Sequence, residues 1–211
     1  MMCSGNLMVH AAKKVIIVGI HYEVCPNCGS GKTIKFVYGL PTYELFIEAE
    51  EGKVKLGGCV RFSEESPDYY CKDCHFEWTK QQVIDNTYNK IKKVKVSYGQ
   101  VYKDFYQINI NMEDLQLSWE HLYEISLGEK TKPISKQTAG NFVQQLKRVH
   151  LLNWDTEYNQ SAAEEGTQWH VEIVTDNDDT ISKGGMNDFP EEWGMFRSII
   201  EVMAGERFYN D

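Results

Sequence analysis

Apolar residues recur with two different periods along the second half of this chain. Val94, Val96 and Tyr98 alternate with Lys95 and Ser97, and Trp169, Val171 and Ile173 alternate with His170 and Glu172. A two-residue period is that of a strand with one buried face. Further strands are predicted over 105–110 and 115–119. The turn-forming run Asp176-Asn177-Asp178-Asp179 leads the Trp169 strand into a partner at 180–182. Ala139, Phe142, Val143, Leu146 and Val149 instead fall on one stripe of period 3.6, which predicts a helix from an N-cap at Ser135 to about His150. A second stripe of Trp193, Phe196, Ile199, Ile200 and Met203 predicts a last helix. Pro190-Glu191-Glu192 suits its first turn, and Gly205 ends it. Strands grouped with two helices predict an α+β fold, an antiparallel sheet with both helices on one face.

The first half is less periodic. Val15-Ile16-Ile17-Val18-Gly19-Ile20 reads as a strand, since it is far short of the roughly 20 residues of a membrane helix. No small-residue cleavage site follows it, so a signal peptide is not expected and the protein is placed in the cytoplasm. Thr42 caps a short predicted helix that buries Leu45, Phe46 and Ala49 and stops at Gly52. A strand over 54–60 and an exposed loop over 63–68 come next. From 78 to 92 the chain is polar, with Val83, Tyr88 and Ile91 at irregular spacing. The expected division is a leader and first strand over 1–20, a cysteine-bearing domain over 21–80, a linker over 81–92 and an α+β domain over 93–211. The two halves are expected to fold separately.

Cysteine changes this picture most. Cys25-Pro26-Asn27-Cys28-Gly29 and Cys71-Lys72-Asp73-Cys74-His75 are two Cys-x-x-Cys pairs separated by 42 residues. Each pair fits a tight turn with both sulfurs on one ion, and four thiolates close a tetrahedral zinc shell that leaves no position for substrate. Cys25, Cys28, Cys71 and Cys74 are therefore the predicted ligands of one structural Zn2+. Metal binding would supply much of the folding free energy of so small a domain. His75 follows a ligand directly, and adjacent residues in a knuckle point apart. Cys59 has flexible Gly57-Gly58 beside it, but no base is near in sequence. It reads as a buried small hydrophobe or a thiol near the metal. Among the histidines, His170 on the polar face of the Trp169 strand is the one worth testing.

The string from Cys25-Pro26-Asn27-Cys28-Gly29 through Tyr38-Gly39-Leu40-Pro41, Glu44-Leu45-Phe46, Ala49-Glu50 and Leu56-Gly57-Gly58-Cys59 to Cys71-Lys72-Asp73-Cys74 resembles a zinc-ribbon module of uncharacterised bacterial proteins. It covers about residues 22–80, and the resemblance implies a zinc ribbon. The second half, with Leu152-Asn153-Trp154, Gly166-Thr167-Gln168-Trp169 and Gly185-Met186-Asn187-Asp188-Phe189-Pro190, is similar to small bacterial proteins of unknown function. Neither resemblance implies an activity.

The net charge of −9 is confined to one half. Residues 1–92 carry 11 Lys/Arg and 11 Asp/Glu, and residues 93–211 carry 11 and 20. Nucleic-acid affinity comes from cations displacing counterions, so the acidic half is a poor candidate for it. In the first half Lys32, Lys35, Lys53, Lys55 and Arg61 with Phe36, Tyr38 and Phe62 keep a nucleic-acid reading open. Gly29-Ser30-Gly31-Lys32-Thr33 imitates the end of a phosphate loop, but Pro26 stands where that motif needs glycine. Asp176–Asp179 lacks the glycine and distal glutamate of a calcium loop. Trp119, Trp154, Trp169 and Trp193 at strand and helix spacing read as core. The leading expectation is a non-enzymatic module that engages an unknown protein partner, ahead of nucleic-acid binding and of an enzyme with an inter-domain site.

Overall fold

The computed structural model describes residues 20–100, 103–122, 128–159, 166–177 and 179–208, and in them it is a mixed α+β protein. Its strands form two sheets, one of four strands and one of seven. The chain divides into two compact units. One comprises Val18–Lys90 with Val143–Asn153, and the other Ile91–Phe142 with Trp154–Asp211. The strand expected over 15–20 lies outside the described residues except for Ile20.

In the first unit β1 (Thr33–Val37) pairs in parallel with β2 (Val54–Leu56) and antiparallel with β3 (Tyr69–Cys71), which turns back into β4 (Glu77–Trp78). Helix α1 (Tyr43–Glu50) begins at Thr42, whose hydroxyl accepts the Leu45 N–H. Its cap is as expected, but its burial is not: none of its residues is buried, and Phe46 is exposed. Strand β2 is also shorter than the expected 54–60. It stops before Gly57, where the ring of Tyr38 occupies the place a Cβ would take. The segment expected as a linker carries helix α2 (Lys80–Asn89). Thr79 and Gln82 close a reciprocal capping box at its start, and Val83 and Tyr88 are buried. One buried apolar cluster here gathers Cys25, Tyr69, Cys71, Trp78 and Val83, and Tyr88, Leu146, Val149, Leu151 and Leu152 of the same unit are buried as well.

The second unit is built on β5 (Ile91–Gln100), β6 (Phe105–Asn111), β7 (Gln116–His121), β8 (Lys130–Pro133), β9 (Glu157–Asn159), β10 (Thr167–Thr175) and β11 (Thr180–Met186). They are ordered β8-β7-β6-β5-β10-β11-β9, with every pair antiparallel except β11 and β9. The expected alternation is present. Val96 lies opposite Ile108 on one side and Val171 on the other, and Ile173 lies opposite Ile181. Because cross-strand partners share a face, this register gathers Val94, Val96, Ile108, Ile110, Leu117, Trp169, Val171 and Ile173 into one buried layer. Helix α4 (Trp193–Ala204) covers it, with the Trp193 ring 5.4 Å from Tyr98 and 4.7 Å from Trp169. Pro190, Glu191 and Glu192 precede α4 instead of forming its first turn. Gly205 ends it in a left-handed conformation.

Helix α3 (Lys136–Arg148) starts from Ser135, whose hydroxyl accepts the Thr138 N–H. Its first residues group with the seven-stranded sheet, and Val143 onward with the cysteine-bearing unit. There Lys147 pairs with Asp85 at 2.6 Å, and the Leu152 N–H donates to the buried Tyr88 hydroxyl at 3.1 Å. Among the described residues, no helix is long and apolar enough to cross a membrane.

Candidate metal centre

Two knuckles separated by 42 residues meet because one strand pair joins them. Strand β1 leaves the first knuckle and runs antiparallel to β3, so that Thr33 lies opposite Cys71 and the second knuckle becomes the turn of the β3–β4 hairpin. The two turns have the same wiring. In the first, the Cys25 N–H donates to the Ser30 carbonyl and the Gly29 N–H to the Cys25 carbonyl, both at 2.9 Å. In the second, the Cys71 N–H donates to the Phe76 carbonyl at 2.9 Å and the His75 N–H to the Cys71 carbonyl at 3.0 Å. The fifth residue of each has positive φ, +74° at Gly29 and +62° at His75. His75 thus adopts the conformation that glycine takes in the first knuckle. Its Nδ1 is hydrogen-bonded to the Tyr70 hydroxyl and turned to that partner instead of the sulfurs. The turns are also tied across their backs, by Ser30 Oγ donating to Asp73 at 2.7 Å and by Lys32 with Asp73 at 3.3 Å.

This wiring brings Cys25, Cys28, Cys71 and Cys74 together, with all four Sγ atoms within 4.8 Å of one another. Cys25 and Cys74 are 3.6 Å apart, as are Cys28 and Cys71. A tetrahedron of sulfurs about 2.3 Å from a central ion has edges of about 3.8 Å, whereas a disulfide brings two sulfurs to about 2.05 Å. The cluster fits an ion and no disulfide, and all four thiols are free. Among the described residues it is the one grouping of this kind.

The electrostatics of the cluster are those of thiols that share protons. Asn27, inside the first knuckle, donates from Nδ2 to Cys74 in the second at 3.6 Å. With the Phe76 amide it pulls the Cys74 thiol down to about 6. The Ser30 amide favours the Cys28 thiolate, but the neighbouring sulfurs and burial outweigh it and push that thiol up to about 12. Burial raises Cys25 against the pull of the Cys28 and Asn27 amides. Four sulfurs this close cannot all ionise without a cation among them, and a divalent ion removes that restriction.

A scan of the sequence against protein-family models finds no match, and a search of curated proteins finds none. The chemistry therefore rests on the residues themselves. Four thiolates complete a tetrahedral shell, so an ion held by all four would have no open position for a substrate or an activated water and would join the knuckles.

The remaining candidates divide differently. Cys59 is exposed, which corrects the expectation of a buried thiol, and it is not a member of the four-sulfur cluster. His170 is exposed on the polar face of β10, as expected, and borders a cleft of about 530 Å³ with Gln168, Glu157 and Ser182. Among the described residues no hydrogen bond links it to a carboxylate, hydroxyl or thiol. Gly29–Lys32 belongs to the first knuckle and is followed by β1, not by the helix of a phosphate loop. Asp176 and Asn177 form the β10–β11 turn, while Asp178 lies outside the described residues. Trp154, Trp169 and Trp193 form a buried aromatic cluster with Phe196, so they are core.

Sequence reasoning missed Asn27. Its place between the two cysteines of Cys25-Pro26-Asn27-Cys28 was visible, but its reach to the distant Cys74 appears only when the knuckles are apposed. It also missed the pairing of the basic residues. Lys32, Lys35, Lys53, Lys55 and Arg61 lie 3.3, 2.8, 2.6, 2.7 and 3.0 Å from carboxylates of Asp73, Glu23, Glu51, Glu77 and Asp68.

Proposed function

We propose that this is a cytoplasmic zinc protein in which Cys25, Cys28, Cys71 and Cys74 hold one structural Zn2+ in a zinc ribbon, and that the chain acts as a non-enzymatic protein-interaction module. Zinc suits a cage of four thiolates with nothing else in the shell. The apolar cluster beside the site includes two of the ligand cysteines, Cys25 and Cys71, which supports a local fold that depends on its metal.

The observation that carries the choice of partner is the pairing of cations. Five basic side chains of this unit, Lys32, Lys35, Lys53, Lys55 and Arg61, each have a carboxylate partner, and the unit's ten Lys/Arg are outnumbered by eleven Asp/Glu. Exposed pairs of this kind contribute only about 0–1 kcal/mol each to stability, but with the excess of carboxylates they weaken the positive field that would attract a polyanion. The same unit exposes Leu40, Tyr43, Phe46, Val60 and Phe62. Several large apolar side chains in water on one small unit support a protein contact.

Two measurements made together test this reading. Retention of DNA and RNA on filters at about 50 and about 200 mM salt should be absent or weak at both. Tagged protein purified from its native cells with nuclease present should retain a protein in fixed ratio. Tight retention of nucleic acid that falls steeply with salt would overturn the reading in favour of a nucleic-acid module.

A further inference from the structure

Helix α1 and the end of the four-stranded sheet beside it form a surface that the described residues leave largely exposed. The sequence Tyr43-Glu44-Leu45-Phe46-Ile47-Glu48-Ala49-Glu50 buries no residue, and an eight-residue helix has little stability of its own in water. Leu40, immediately before it, is 86% exposed and Tyr43 is 77% exposed. The ladder between β1 and β2 runs past both strands, through Gly57 N–H to the Val37 carbonyl and Gly39 N–H to the Gly58 carbonyl, both at 2.9 Å. The chain that leaves this ladder on the β2 side carries Val60 and Phe62, the latter 91% exposed. Leu40 and the Val60–Phe62 loop therefore depart from the same end of the sheet, where α1 begins. The loop that carries Phe62 also borders a cleft of about 1220 Å³ through Arg61, Ser63, Glu64 and Glu65, with Lys80 and Asp85 on its other side.

The charge around these apolar side chains is predominantly negative, although Lys80 borders the cleft and Lys72 lies beside Gly52 at the end of α1. Lys53, Lys55 and Arg61 are each paired with a carboxylate. Among the described residues, Glu44, Glu48, Glu50, Glu64 and Glu65 take part in no ion pair. An apolar surface rimmed by unpaired carboxylates opposes three occupants at once. A second copy would bring the same carboxylates to face them, and nucleic acid and anionic membrane would be repelled. A cationic partner gains on both counts.

Building on the reading of the chain as an interaction module, we propose that this surface docks a basic segment of a partner protein. One or two large apolar side chains of that segment would lie against Leu40, Tyr43, Phe46 and Phe62, and its Lys or Arg side chains would reach Glu48, Glu50, Glu64 and Glu65. The apolar contacts set the strength of binding, and the carboxylates set its charge preference and salt dependence.

The test uses the full-length, metal-loaded chain and three short fluorescein-labelled peptides that alternate Lys with Leu, Glu with Leu, and Lys with Ser. Fluorescence anisotropy should show saturable binding of the Lys–Leu peptide, with the other two at least about tenfold weaker. Phe62→Ser and Tyr43→Ser should each weaken the Lys–Leu peptide about tenfold. Both side chains are exposed, so metal content should be unchanged, which separates lost docking from lost folding. Glu64→Gln with Glu65→Gln should reduce the salt dependence. Absence of saturable binding, equal binding to the serine variants, or equal binding of the Lys–Ser peptide would overturn the proposal. So would a wild-type dimer in sedimentation that Phe62→Ser dissolves, because the occupant would then be a second copy. The broader reading fails separately. A native partner captured equally by wild type and Phe62→Ser discards this surface and keeps the interaction module, whereas no protein partner for either chain discards both.

Discussion

His75 offers a quantitative test of how the second knuckle is built. Its φ of +62° costs an L-residue about 1–2 kcal/mol relative to glycine. The hydrogen bond with the Tyr70 hydroxyl returns about 0.5–1.5 kcal/mol. Glycine here would relieve the strain and forfeit that bond, and would add about 0.4–1 kcal/mol of unfolded-chain entropy. His75→Gly is therefore expected within about 1 kcal/mol of wild type, or about fivefold in metal affinity. His75→Ala keeps the strain and loses the bond, for a loss of about 0.5–1.5 kcal/mol. His75→Val adds a β-branched side chain to the left-handed region and should lose about 2 kcal/mol, roughly thirtyfold in affinity. Zinc competition against a chromophoric chelator reads all three because metal binding and folding of this unit are linked. The account is refuted if His75→Gly weakens zinc as much as His75→Val, or if His75→Ala loses the metal as completely as a cysteine variant does.

Other consequences follow from the same geometry. Tyr88→Phe removes the hydroxyl that accepts the buried Leu152 N–H and should cost about 1–3 kcal/mol, read as a lower melting temperature. A fragment of residues 93–211 lacks Asp85 and Tyr88, the partners of Lys147 and Leu152, and should unfold less cooperatively by circular dichroism than the full chain. Zinc loading at neutral pH must displace the protons that Cys25 and Cys28 hold above the ordinary thiol range. Calorimetry in buffers of different ionisation heats should show proton release, and affinity should fall as pH falls. Lys183 donates to the Trp154 carbonyl inside the second unit, and burial lowers its pKa below 10.5. The folded state thus binds fewer protons there than the unfolded chain. In denaturation the stability of wild type relative to Lys183→Met should rise as pH is raised from the lowered value toward 10.5.

The parts legible in the sequence were those that local chemistry decides. Two-residue alternation gave β5 and β10 because one face of each is buried. The α3 and α4 stripes were legible from their period, and the Thr42 and Ser135 caps from the hydroxyl each start requires. The four cysteines were legible because knuckle spacing is a local constraint. What was missed depends on contacts between distant segments. Helix α2 looked like a linker because Val83 and Tyr88 alone make no stripe, and its stability comes from the Thr79–Gln82 capping box and burial in the folded unit. Leu45, Phe46 and Ala49 read as a buried face, but Leu45 and Ala49 are only half-buried and Phe46 is exposed. The Tyr38 ring against Gly57, just past the ends of β1 and β2, is a contact between distant segments. Asn27 and the five paired cations were unreadable for the same reason, since their partners lie elsewhere in the chain.

The measurement that bears most directly on the four-cysteine centre is metal analysis joined to X-ray absorption, on the purified chain and on Cys71→Ser. Cys71 is fully buried beside Cys28, so no other side chain can replace its sulfur without moving the β3–β4 hairpin. The expected result is one zinc per chain with four sulfur neighbours at about 2.3 Å, and loss of that zinc in Cys71→Ser. A parent chain without metal, a shell of mixed sulfur and nitrogen, or full occupancy in the Cys71→Ser variant would contradict it.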